Sequence, residues 1–128
     1  MKAFQCRLPV RFGDIDQAGV AYYPTLLDHC HAAFEEFFEG ALGRPYPNVV
    51  LSDKVGFPTV HLEADFREPL RYGDLLTMEV SVARLGARSV VFRYRARVKG
   101  RPAFRILATT ACVDMRSFKA KAVPAAYR

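Results

Sequence analysis

A chain of 128 residues, 51% of them hydrophobic and carrying a net charge of +6, can build one sizeable core and is too short for two ordinary domains. One domain covering residues 1–128 is expected. No stretch approaches the roughly 20 uninterrupted apolar residues of a membrane-spanning helix. The opening MKAFQCRLPVRFGDID brings in Gln5, Arg7 and Arg11 before an apolar run can form, so it does not read as a secretory leader, and the expected location is the cytoplasm.

Cys6, Cys30 and Cys112 are odd in number and widely spaced, which suits reduced thiols better than a disulfide framework or a CxxC pair. His29, His31 and His61 have no second ligand at a metal-binding spacing, so no bound metal is expected. Charge is unevenly divided: residues 1–60 hold 5 Lys/Arg against 7 Asp/Glu, and residues 61–128 hold 14 against 6. The basic half suits an anionic partner such as a nucleotide phosphate, a nucleic acid or an acidic protein, or is a solvated surface.

In chain order, residues 4–12 alternate Phe4, Cys6, Leu8 and Val10 with polar neighbours, which predicts a first strand, and Pro9 makes it an edge or irregular one. FGDIDQAGVAYYP then holds turn residues and predicts a long loop. From Pro24, the residues Leu26, Cys30, Ala33, Phe34, Phe37, Phe38 and Ala41 recur at spacings of three and four. That is the apolar stripe of a helix of about five turns, with Glu35, Glu36 and Glu39 off the stripe and Gly40 or Gly43 able to end it. The stretch GRPYPNVVLSDKVGFP reads as turn-rich.

Four further segments have period two and predict antiparallel strands. Val60, Leu62, Ala64 and Phe66 form an apolar face in the first, and Leu76, Met78, Val80 and Val82 in the second. In the third, Phe92 and Tyr94 lie opposite Arg93, Arg95 and Arg97. The fourth, from Phe104 to Val113, is apolar on both faces and needs cover. Strand, loop, one long helix and four strands is an α+β order, with the helix packed against a strongly curved antiparallel sheet, as in a hotdog fold.

The stretch VRFGDIDQAGVAYYPTLLDHCHAAFEEFF, with its DxDxxGxxYYP core, resembles the signature of the 4-hydroxybenzoyl-CoA thioesterase family of hotdog proteins. Similarity continues through GFPTVHLEADFREPLRYGDLL and reaches VPAAY near the C-terminus. It implies hydrolysis of an acyl-CoA to free acid and CoA, with no metal or prosthetic group and CoA as part of the substrate. The second aspartate of the motif, Asp16, is by resemblance the catalytic carboxylate, acting as nucleophile or as general base. Asp14 would organise the loop.

The resemblance puts the Tyr23 N–H at the head of the long helix, where unpaired amides and the helix dipole can polarise a thioester carbonyl. Tyr22 and Tyr23 can line the acyl pocket or simply pack, and Gly19 can admit substrate or supply a turn. Arg88 and Ser89, with Lys119 and Lys121 before VPAAY, match positions used near the CoA phosphates or pantetheine. Counting from Asp16 places His31 where the 4-hydroxybenzoyl enzyme has a carboxylate for the phenol; it can bond a polar acyl tip or sit on the helix surface. The family assembles as dimers and tetramers with the site at the subunit interface, so a homo-oligomer is expected. Alternatives are a thioesterase acting on acyl-carrier protein and a non-catalytic acyl-CoA-binding module. A nucleic-acid-binding sheet is disfavoured because Phe92 and Tyr94 face away from the arginines.

Overall fold

In the computed structural model, residues 3–21 and 23–124 are described. The chain forms β1 (Phe4–Pro9), a short 3-10 turn at Phe12–Asp14, α1 (Tyr23–Gly40), α2 (Tyr46–Leu51), β2 (Val55–Gly56), β3 (Thr59–Phe66), β4 (Leu75–Leu85), β5 (Ser89–Val98), β6 (Arg101–Ala111) and β7 (Val113–Asp114). Five strands make one antiparallel sheet in the order β1-β4-β5-β6-β3, and β2 pairs with β7 beside it.

The apolar stripe does what its spacing predicts as far as Phe38: Leu26, Cys30, Ala33, Phe34, Phe37 and Phe38 are buried against the sheet, while Glu35, Glu36 and Glu39 face out. Ala41, also expected on the stripe, follows the helix end at Gly40 and is exposed. Period two sets the opposing surface, where Met78, Val80, Phe92, Tyr94, Ala96, Phe104, Ile106 and Ala108 are buried. Phe34 is the hub, with ring centroids 4.9 Å from Phe38, 4.8 Å from Tyr46 and 5.2 Å from Phe92. One long helix held in a curved antiparallel sheet is the hotdog arrangement. Among the described residues no helix is long and apolar enough to cross a membrane.

Three details depart from the expectation. The turn-rich stretch after α1 contains α2, because Pro45 and Pro47 stand at or before the first helical turn, where a missing N–H costs nothing. The fourth late strand is split into β6 and β7. Most important, β3 has no buried face: all of its residues are exposed, with Val60 66%, Leu62 42% and Phe66 47% accessible. It is one of the sheet's two edge strands, at the opposite side from β1.

Candidate active site

Asp16 sits in the loop between β1 and α1, shaped by hydrogen bonds within reach of a few residues. The Asp16 N–H donates to the Val20 carbonyl at 3.0 Å, and its own carbonyl accepts the Gly19 N–H at 3.0 Å. Its Oδ1 accepts the Ala18 N–H at 2.8 Å, the Asx-turn habit of aspartate. Oδ2 has no partner among the described residues, and the side chain is exposed. Gly19 has φ +83° and open space where a Cβ would stand, so a left-handed turn rather than crowding calls for glycine there.

The loop is tied down on both sides. The Ala21 N–H donates to the Leu70 carbonyl at 2.7 Å, and Val10 and Asp74 are joined at 2.8 Å. Asp14 is buried; its Oδ2 accepts the Arg11 N–H at 2.8 Å and its carbonyl accepts the Thr25 hydroxyl at 3.2 Å. α1 begins at Tyr23, one residue before the expected Pro24, so the Tyr23 N–H belongs to the amides that an α-helix leaves unpaired at its start. The Tyr23 side chain is 65% exposed, and Tyr22 lies outside the described residues.

Two clefts flank α1. A cavity of about 240 Å³ at the helix start is lined by Ala21, Tyr23, Leu26, Phe66, Glu68 and Leu70 among others. A larger one of about 600 Å³ lies further along, walled by Leu27, His31, Phe34, Tyr46, Tyr94 and Ile106 among others, and it touches neither Asp16 nor Tyr23. Its walls are apolar with a few hydrogen-bonding groups, the composition of a small-molecule site. His31 is an exposed helix residue whose ring stacks on Phe34 and whose Nε2 lies 3.2 Å from Glu35 Oε2. Burial pushes the Tyr46 and Tyr94 phenols up, so both stay neutral. The Tyr46 hydroxyl accepts the Phe57 N–H at 3.3 Å.

Arg88 and Ser89 open β5 at the far end of the sheet. There the Cys112 N–H donates to the Arg88 carbonyl and the Lys121 N–H to the Cys112 carbonyl, both at 2.9 Å, so Arg88, Ser89 and Lys121 gather at one corner with Lys119 two residues away. The Asp16 loop is at the other end, beside Leu70 and Asp74. Val98 lies nine residue steps along β5 from Ser89, a span of about 30 Å. Within one protomer the basic corner and Asp16 are therefore not one site.

The sequence profile of the thioesterase-like superfamily matches residues 10–128. The chain belongs to that superfamily. A 1,4-dihydroxy-2-naphthoyl-CoA hydrolase of Prochlorococcus marinus strain MIT 9303 is 40% identical over 97 residues, covering 70% of this chain and 64% of that protein. The chain thus spans less than two thirds of that relative's length. A protein of the same description from Synechococcus elongatus is 32% identical over 126 residues, covering 97% of this chain and 91% of that one. The solved structure of a gentisyl-coenzyme A thioesterase superposes with a TM-score of 0.86 at 25% identity, covering 99% of both chains.

Residues not foreseen as site members are the cavity walls supplied by Cys30, Phe34, Tyr46, Phe57, Tyr94, Met115 and Phe118. Periodicity marks several of them as core, and nothing in periodicity separates a core aromatic from one that borders a cavity. Buried His29, near Asp14, was also missed as a partner of the loop.

Proposed function

We propose that this superfamily member hydrolyses a hydroxylated aromatic acyl-CoA to the free acid and CoA, with Asp16 as the catalytic carboxylate. One observation carries the reading: an exposed aspartate with an oxygen uncommitted among the described residues, on a loop tied directly to the first turn of α1. The Tyr23 amide and the helix dipole polarise the thioester carbonyl. Asp16 either takes a proton from a water that attacks the carbonyl carbon, or attacks that carbon itself. In both cases a C–O bond forms, the C–S bond breaks and the CoA thiolate leaves, and in the second case water then cleaves the acyl-Asp16 anhydride to give the free acid and restore the carboxylate. No metal or prosthetic group enters this scheme. The acyl class rests on the names of the relatives, both hydroxylated aryl thioesterases, and on the hydrogen-bonding groups of Tyr46, Tyr94 and His31 that border the larger cavity. The motif resembles that of the 4-hydroxybenzoyl-CoA thioesterases, with His31 at the position where the resemblance puts a helix carboxylate.

The working unit in this reading is a dimer joined through β3. Two free edges paired antiparallel about a two-fold axis set the Phe66 end of one strand beside the Thr59 end of the other. That brings one protomer's Arg88, Ser89, Lys119 and Lys121 toward the other's Asp16, where they would hold the CoA phosphates and pantetheine. It also covers Val60, Leu62 and Phe66.

The test is thiol release from a panel of benzoyl, hydroxybenzoyl, dihydroxynaphthoyl, phenylacetyl and aliphatic CoA thioesters, with Asp16→Asn alongside. A loss of about 10³-fold or more in the variant, roughly 4 kcal/mol in the barrier, is expected. Equal turnover by the variant would sink the assignment. Preference for the same acyl group on acyl-carrier protein would make the basic corner a protein-docking surface, and CoA binding without turnover would favour a non-catalytic module.

A further inference from the structure

His29 stands on the stripe of α1 that faces the core and is 5% exposed, yet among the described residues neither of its ring nitrogens has a hydrogen bond. A buried imidazole without partners is costly, and Leu or Met would fill that position more stably. Its Nε2 lies 3.3 Å from Asp14 Oδ2, within hydrogen-bonding distance but not hydrogen-bonded in this arrangement. The same oxygen already accepts the Arg11 N–H at 2.8 Å and has the Arg11 Nε at 3.8 Å. A small rotation of either side chain completes Nε2–H···Oδ2, and a carboxylate oxygen has lone pairs for both donors.

We propose that His29 is a positioning residue: it donates from Nε2 to the buried Asp14 carboxylate and so fastens the Asp16 loop to α1. The inference rests on the reading of Asp16 as the catalytic group. Asp14 is then held to the helix twice, by Thr25 through its carbonyl and by His29 through its carboxylate. Asp16 follows two residues later, and Tyr23 heads the same helix. A thioester must meet the Asp16 carboxylate and the Tyr23 amide at once, so a drift of about 1 Å in the loop costs on the order of 10²-fold in rate.

The first measurement needs no variant. In ¹⁵N-labelled native protein the His29 ring should carry a slowly exchanging proton on Nε2; a bare Nε2 overturns the proposal. His29→Leu, which keeps the core apolar, should lower kcat by about 10- to 100-fold with KM changed less than about threefold. Its Arg11 amide should exchange at least about tenfold faster. His29→Gln, whose side-chain nitrogen can reach the place of Nε2, should recover most of the loss. Full activity in the Leu variant, or Gln no better than Leu in folded protein, refutes the role. An active Asp16→Asn would instead remove the catalytic reading, and the tautomer and Arg11 exchange would still decide whether His29 fastens the loop.

Discussion

If each active site takes Asp16 from one protomer and the basic corner from its partner, two crippled chains should repair each other. One chain carries Asp16→Asn; the other carries Arg88→Ala, Lys119→Ala and Lys121→Ala. The three cations lie at one corner about 30 Å from the Asp16 end of the same protomer, taking about 3.3 Å for each residue of β5. Their loss should weaken CoA capture by roughly 10- to 100-fold, or about 1.4 kcal/mol per factor of ten. In a mixed dimer one site combines both lesions and the other is wholly native. Random assembly of equal amounts makes about half the dimers mixed, each with one native site of two, so kcat/KM per chain should return to about a quarter of the native value. The assay is thiol release at low acyl-CoA after the two chains are unfolded and refolded together. Activity no higher than the mean of the two parents would refute the shared site.

Phe34→Ala removes the ring that Phe38, Tyr46 and Phe92 all pack against, and should cost about 3 kcal/mol even though it borders a cavity. At about 2.1 cal/mol/K per residue that is a fall of roughly 11 °C in Tm by calorimetry; a fall under about 4 °C would deny it the hub role. Burial first, then the hydrogen bond and charge of Glu36, pushes the Cys6 thiol up from its ordinary 9.0 to about 12. Its alkylation should therefore climb about tenfold per pH unit beyond pH 9 without levelling, whereas a plateau near pH 9 would show an unburied thiol. The sign for stability follows: with the folded value above the unfolded one, the thiol's contribution is present below pH 9 and is lost as pH rises toward 12. Cys30, Cys112, Tyr46 and Tyr94, all raised first by burial, push the same way, so urea midpoints should decline above pH 9.

α1 was legible because a helix stripe needs only local spacing, and Leu26 to Phe38 supply it without interruption. The sheet faces of β4 and β5 were legible for the same reason at period two. β3 was not, since Val60, Leu62 and Phe66 alternate identically whether a face meets the protein's own core or remains open for another chain. α2 was hidden by prolines whose usual sense is a turn. The Asp16 loop was legible only as a motif: nothing local tells that the Asp14 carboxylate reaches back to Arg11 and across to His29. Likewise Arg88 and Lys121, far apart in sequence, meet only because both pair with Cys112.

Under the proposed reading, helix geometry relates the two clefts to one substrate. Tyr23, Leu27 and His31 are spaced by four and lie along one side of α1, and the eight residues from Tyr23 to His31 rise about 12 Å. A carbonyl held at the Tyr23 amide therefore has Leu27 beneath its acyl group and His31 near the limit of its reach, at the wall of the larger cavity. A short aliphatic acyl group ends beside Leu27, in apolar surroundings, and gains nothing from the imidazole. A rigid aryl group with a distal hydroxyl extends toward His31, and Glu35, 3.2 Å from the ring, orients the imidazole there. The same line gives the proposed dimer a role. Leu62 and Thr59 of the exposed edge strand border that cavity, so in the proposed dimer a second β3 would cover the edge, keep water from the acyl group and strengthen each hydrogen bond that selects the substrate.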